Sequence, residues 1–193
     1  MIVLASGSPR RRELMGLLGV PFEVRVPDVD ESVRAGERAR DYVRRLAESK
    51  ATAVPASRDE LVIAADTTVE IRGEILGKPL DDSEAISMLR RLQGEVHQVH
   101  TGLCAKVRNR VELAICTTEV LMSVMNQQQI EWYVATGEPG DKAGAYAIQG
   151  IGGMFVDRVD GNVQNVIGFP LTTVRELAAR VGHRLAKIVE KTH

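Results

Sequence analysis

The side chains of this 193-residue chain best suited to chemistry form one cationic group and several separate acids. Arg10, Arg11 and Arg12 follow Ser8-Pro9, which reads as an N-cap and first helical residue. They therefore fall in a first helical turn, where free N–H groups and the macrodipole favour anions, and each cation there costs about 0.3–1 kcal/mol. A bound phosphate reverses the sign of those terms, and Ser6, Gly7 and Ser8 let a ligand approach the backbone. The alternative is three long side chains splayed into solvent. Asp66 follows the apolar run Leu61-Val-Ile-Ala-Ala65, which places a carboxylate at the end of a buried strand. It is costly to ionise there unless hydrogen-bonded, paired or metal-bound, so catalysis or metal binding competes with a structural cap.

Three more positions belong with these. Asp28, Asp30 and Glu31 lie in the loop Pro27-Asp-Val-Asp-Glu-Ser32, either a solvated loop or a source of hard oxygen ligands for a divalent cation. Lys50 shares a helical stripe with Val43, Leu46 and Ala47, so its ammonium either snorkels to the edge or points into a cleft against an anion. Lys78 sits between Gly77 and Pro79 just after a short strand, a weak signal alone. Gln149 lies in the glycine-dense stretch 138–153 with Asp141 and Lys142. Its amide is suited to pairing with a base edge, while the alternative is a loop held by its own backbone.

The elements that must position these groups alternate between strand and helix, which points to an α/β fold. Ile2 to Ala5 reads as a strand. A helix follows, with Leu14, Leu17 and Leu18 at helical spacing and Gly19 beyond its end. Pro21 to Val26 is a second strand and Glu37 to Val54 a helix. Leu61 to Ala65 continues after Asp66 as Thr67 to Ile71, and Glu74 to Leu76 returns as a hairpin arm. A helix capped by Asp82 or Ser83 leads to Gly94, then Val96 to Val107 and Val111 to Val124 pair antiparallel. Asn126 caps a helix ending at Gly137. Phe155 to Val159 and Val163 to Ile167 read as a hairpin about Asp160-Gly161, and Pro170 opens the last helix. His97 and His100, three apart on a strand, face opposite ways and make a poor metal pair.

Composition narrows the class. Hydrophobic content of 44% and charged content of 26% suit a soluble globular protein, here a single domain over 1–193 without a linker. A net charge of −1 argues against broad nucleic-acid binding. No apolar run approaches the roughly 20 residues of a membrane span, and Met1-Ile-Val-Leu lacks the basic start of a signal peptide. Cys104 and Cys116 read as reduced core thiols, consistent with a cytoplasmic protein.

Taken in order, several of these stretches resemble the Maf family of nucleoside triphosphate pyrophosphatases. They are Leu4-Ala-Ser-Gly-Ser-Pro-Arg-Arg11, Glu31, Arg45-Leu-Ala47 with Lys50, Ala65-Asp-Thr67, Leu76-Gly-Lys-Pro79, Asp141-Lys-Ala-Gly-Ala-Tyr-Ala-Ile-Gln-Gly150, and Asn165-Val-Ile-Gly168 with Pro170-Leu171. The resemblance implies a mixed twisted sheet with flanking helices, two lobes around a central cleft, similar to inosine triphosphate pyrophosphatase and often dimeric. It also implies a divalent cation (Mg²⁺, Mn²⁺ or Co²⁺) and hydrolysis of a nucleotide to its monophosphate and pyrophosphate. By position, Asp66 resembles the catalytic carboxylate. Ser8, Arg10, Arg11, Lys50, Thr67, Lys78 and Gln149 match substrate positions, and Glu31 with Asp66 the metal positions. Arg10, Thr67 and Gln149 resemble the mark of the branch acting on dTTP and UTP. The alternatives are the branch acting on 7-methyl-GTP and a nucleotide-responsive regulator of septum formation without chemistry. Ala64 replaces a usual Gly and Phe169 a usual Leu, both mild departures.

Overall fold

A computed structural model describes residues 1–185. A seven-stranded mixed sheet runs through it, built from β1 (Ile2–Ala5), β2 (Phe22–Val24), β3 (Leu61–Ile71), β4 (Glu74–Leu76), β5 (Val96–Val107), β6 (Arg110–Met122) and β7 (Val156–Asp160). The order is β2-β1-β3-β5-β6-β7, with β4 added to β3. The β2-β1-β3 end is parallel, and the remaining pairings are antiparallel. The expected mixed α/β architecture is what the chain adopts. Among the described residues, no helix is long and apolar enough to cross a membrane.

One interruption in this sheet creates the site. β1 pairs with β3 only from Leu61 to Ala64, and β4 takes up the same edge from Val69 to Ile71. Between them, Ala65 to Thr68 remain laddered to β5 on one side and have no strand on the other. Asp66 therefore lies in the middle of an 11-residue strand rather than at its end, which corrects the sequence expectation. The physical point survives in altered form: what ends beside Asp66 is β1, its parallel neighbour, and ligands gather where such strands stop.

Helices cover both faces. α1 (Pro9–Gly16) follows β1, and α6 (Leu171–Arg180) packs beside it over Leu4, Ile63, Leu103 and Phe169. Burying one such large side chain stabilises by about 1.5–3 kcal/mol. Leu17, expected on the inner face of the first helix, is exposed; it is the C-cap residue, where the helix has already ended. On the opposite face, α2 (Ala39–Ala53) lies against a layer of small side chains, Val3, Ala5, Ala64 and Cys104. It comes so close that a Cβ on Gly102 would collide with the Val43 carbonyl. Gly102 is the β5 partner of Asp66, so this close approach brings α2 down beside the carboxylate.

The other half of the core joins β3, β5 and β6 to α3 (Asp82–Leu92) and α4 (Gln127–Ala135). Asp81, one residue ahead of the expected cap, accepts the Glu84 N–H at 2.8 Å. Asn126 caps α4 in a full capping box with Gln129. Val163–Ile167, expected as a strand, forms the short helix α5. Asn162 accepts the N–H groups of Gln164 and Asn165, and Gly168 closes the turn at φ 105°. Those caps override the weak alternation that suggested a strand. β7 instead pairs with β6. Cys104 is buried and Cys116 half-buried, neither in a disulfide, and burial pushes the Cys104 thiol up to about 12.

Candidate active site

Period-2 alternation along β3 divides the site between the two faces of the sheet. Asp66 points towards α2 and Thr67 towards α1. All nine positions matched to substrate, metal or catalytic roles, Ser8, Arg10, Arg11, Glu31, Lys50, Asp66, Thr67, Lys78 and Gln149, border one cavity of about 730 Å³ at the interrupted edge of β3. That size falls within the usual range for small-ligand sites.

On the α2 face, Lys50 is 7% exposed and its Nζ lies 2.6 Å from Asp66 Oδ1 and 2.7 Å from Glu31 Oε1. The lysine is aimed inward and compensated, not snorkelling. Burial pushes the Asp66 carboxyl above the ordinary carboxylate range, against the pull of Lys50 and Arg11 and with the help of the Glu31 charge. Glu31 differs: burial opposes its charge, yet Lys50, Lys78 and Arg11 outweigh that and hold it below the ordinary range. Its loop is delivered by α2, where the Tyr42 hydroxyl donates to the Glu31 carbonyl at 3.0 Å and Arg45 to the Ser32 carbonyl at 2.9 Å. Asp28 and Asp30, its acidic neighbours, do not border the cavity; Asp30 caps the Ser32 N–H instead.

On the α1 face, Arg11 spans the gap in the sheet. Its Nη1 donates to the Ala65 carbonyl at 2.8 Å, its Nε to the Gly168 carbonyl at 2.9 Å, and its Nη2 to Thr67 Oγ1 at 3.0 Å. The first of these bonds satisfies a carbonyl left open where β1 stops. Thr101 donates to the Asn165 carbonyl at 2.9 Å, so Thr67 is the donor in its 3.0 Å bond with Thr101. The Thr67 proton is thereby committed inside the protein. Ser8 performs the expected cap, accepting the Arg11 N–H at 3.4 Å.

The rim carries the remaining candidates. Arg10 Nη1 meets Asp141 Oδ2 at 3.4 Å, and Asp141 is also paired with Lys142. Arg12 is exposed and does not border the cavity, so two of the three first-turn arginines reach it. Lys78 and Gln149 are exposed, and neither side chain bonds to another described residue. Sequence reasoning gave no role to Tyr42, Thr101 or Asn165, which brace the site from within. Tyr42 lies one residue from Val43 on the apolar stripe and is indistinguishable from core on that pattern. His97 and His100 take no part: His97 Nε2 meets the Tyr146 hydroxyl at 2.8 Å, and His100 lies between Glu70 and Thr117.

Among the described residues no three His, Cys, Asp or Glu side chains converge as a metal site. Two carboxylates do, since Glu31 and Asp66 each place an oxygen on the Lys50 ammonium. A pair of hard oxygens suits a cation such as Mg²⁺, which keeps water and takes its other ligands from substrate phosphates.

A family model described as "Maf-like protein" matches residues 1–181. A protein of Anaeromyxobacter sp. (strain Fw109-5) named dTTP/UTP pyrophosphatase is 54% identical over 95% of this chain and 91% of its own length. Its namesake in Methylobacillus flagellatus is 47% identical over 94% of this chain and 92% of its own. Among solved structures, the Ham1 protein of Staphylococcus aureus aligns with a TM-score of 0.44 and 18% identity, over 63% of this chain and 71% of that one. With a family match over nearly its whole length and relatives near half identical, the chain belongs to the Maf family.

Proposed function

We propose that this cavity hydrolyses dTTP or UTP to the monophosphate and pyrophosphate by attack of water on the α-phosphorus. The observation that carries the proposal is the inward-facing Lys50 held between Asp66 and Glu31, with Arg10 and Lys78 on the rim of the same cavity. A triphosphate brings the negative charge that this rim would neutralise, and the leaving pyrophosphate increases it. Asp66, kept basic by burial, is suited to take the proton of the attacking water, and Lys50 fixes its carboxylate. Arg11 and Thr67 hold the backbone edge against which the phosphates would lie.

Glu31 and Asp66 would hold the divalent cation. Bound there, such an ion would neutralise phosphate charge and acidify water. Lys50 occupies the point where their oxygens meet, so the ammonium would share or yield that place. Gln149, with an unspent amide at the cavity, is suited to the base edge of a pyrimidine. The same reading puts the enzyme in the cytoplasm, as a homodimer that light scattering would detect.

The test is a panel of nucleoside triphosphates, including 7-methyl-GTP, assayed with Mg²⁺ or Mn²⁺ for monophosphate and pyrophosphate. The expected result is preferred release of pyrophosphate from dTTP and UTP. Preference for 7-methyl-GTP, or binding without turnover, would overturn the proposal.

A further inference from the structure

Gln149 lies outside any strand or α-helix, yet the backbone on both sides of it is held from beneath by one carboxylate and the tyrosine hydroxyl bonded to it. Glu138 Oε1 accepts the Ile151 N–H at 2.8 Å, and Oε2 accepts the Gly152 N–H at 2.8 Å and the Tyr133 hydroxyl at 2.6 Å. Tyr133, fully buried on α4, accepts the Ala147 N–H on that same hydroxyl at 3.1 Å. The pair thus grips the chain before Gln149 at Ala147 and after it at Ile151 and Gly152. The fit is close: a Cβ on Gly150 would strike the Glu138 carboxylate, and one on Gly152 the Tyr133 hydroxyl. Three donors converge on the two carboxylate oxygens, which a neutral amide, offering a single acceptor oxygen, cannot match. Burial disfavours the Glu138 charge, but Tyr133 and the two backbone N–H groups outweigh it and hold the carboxyl below its ordinary range. Nothing in phosphate binding or in attack at phosphorus calls for this arrangement, because among the described residues the carboxylate is hydrogen-bonded only to Tyr133 and to the stretch that carries Gln149.

We propose that Glu138, braced by Tyr133, is a positioning residue for nucleobase selection: it sets the loop so that Gln149 meets the pyrimidine edge. The proposal rests on the reading of Gln149 as the base-facing side chain. Its consequence is a separation of functions, in which Glu138 governs which base is accepted while Asp66, Lys50 and the cationic rim govern turnover.

The experiment compares wild type with Glu138→Gln, Gln149→Ala and the double variant, using dTTP and CTP as substrates and inorganic tripolyphosphate as a base-free competitive inhibitor. Glu138→Gln is expected to raise KM for dTTP at least about tenfold with kcat within about threefold. It should also erode the preference for dTTP over CTP and leave tripolyphosphate inhibition unchanged. The double variant should be no worse than Gln149→Ala alone, because the two changes remove one interaction. Multiplying effects would overturn the proposal, as would weaker tripolyphosphate inhibition in step with the loss on dTTP. If Glu138→Gln does not fold, Tyr133→Phe, which frees the Ala147 N–H, carries the same comparison. If wild type turns over neither dTTP nor UTP, the assigned substrate has failed, and the same cycle on the nucleotide it does accept still decides the part played by Glu138.

Discussion

Lys50 Nζ and Asp66 Oδ1 lie 2.6 Å apart with both side chains about 8% exposed, so each is the condition for the other's charge in the core. Removing one partner of a buried pair costs about 3–5 kcal/mol, since the survivor is left uncompensated. The Asp66 carboxyl already sits above its ordinary range, and proton uptake relieves it once the ammonium is gone. A group with a raised folded pKa stabilises at low pH and loses that contribution as pH rises. Lys50→Ala should therefore destabilise strongly in alkaline buffer and less in acid, as urea midpoints at the two pH values will show.

Asp66→Asn keeps the shape of the carboxyl but cannot accept a proton. Turnover should fall at least about 100-fold, while circular dichroism and nucleotide binding by calorimetry stay near wild type. In wild type, the acid limb of kcat/KM should lie above about pH 4, the ordinary aspartate range, because burial resists ionisation. A mutant with near-normal rates would remove Asp66 from the mechanism.

Arg11→Lys tests whether charge or geometry matters in α1. Lysine keeps the charge but cannot reach the Ala65 and Gly168 carbonyls and Thr67 together, as the guanidinium does. Leaving a buried acceptor unsatisfied costs about 1–3 kcal/mol. The variant should lose stability of that order by denaturant titration, and turnover with it.

His97 is buried against Tyr146, and burial lowers its pKa from 6.5 to about 4. The unfolded chain thus takes up this proton first, so the contribution is complete above about pH 6.5 and falls away towards pH 4. The loss is on the order of 3 kcal/mol. His97→Gln should flatten that acid decline in urea melts between about pH 7 and pH 4.5.

Gln149→Glu replaces an amide that both donates and accepts with a group that only accepts. Its pyrimidine turnover should drop through KM, with kcat for saturating dTTP little changed. Equal kinetics for the two side chains would take Gln149 out of base recognition.

The residues of the site were more legible in the sequence than the way they are held. The cations in a first helical turn, the stripe lysine and the acid after an apolar run each broke a local expectation, and Arg10, Arg11, Lys50 and Asp66 all border the cavity. Asp66 was misplaced at a strand terminus because apolar character stops there, whereas the ladder to β5 does not. Only the register of β1 against β3 reveals the open stretch, and register is a long-range property with no local signature. Val163–Ile167 failed for a local reason, since five residues of weak alternation yield to good caps at both ends. Thr101 and Asn165 looked like ordinary residues of expected strands, because bracing from behind leaves no trace in spacing or polarity.

The break along β3 has a second consequence, in the crowded interior of a cell. Exposed ladder groups on an apolar strand invite a foreign strand to dock, and short, charged edges are how sheets avoid this. Here the bare stretch covers only Ala65 to Thr68, with the guanidinium of Arg11 bonded across it and a carboxylate at its centre. The features that would welcome a polyphosphate therefore also keep this protein from zipping onto its neighbours, and neutral replacements at Arg11 should be watched for precipitation as well as for lost activity.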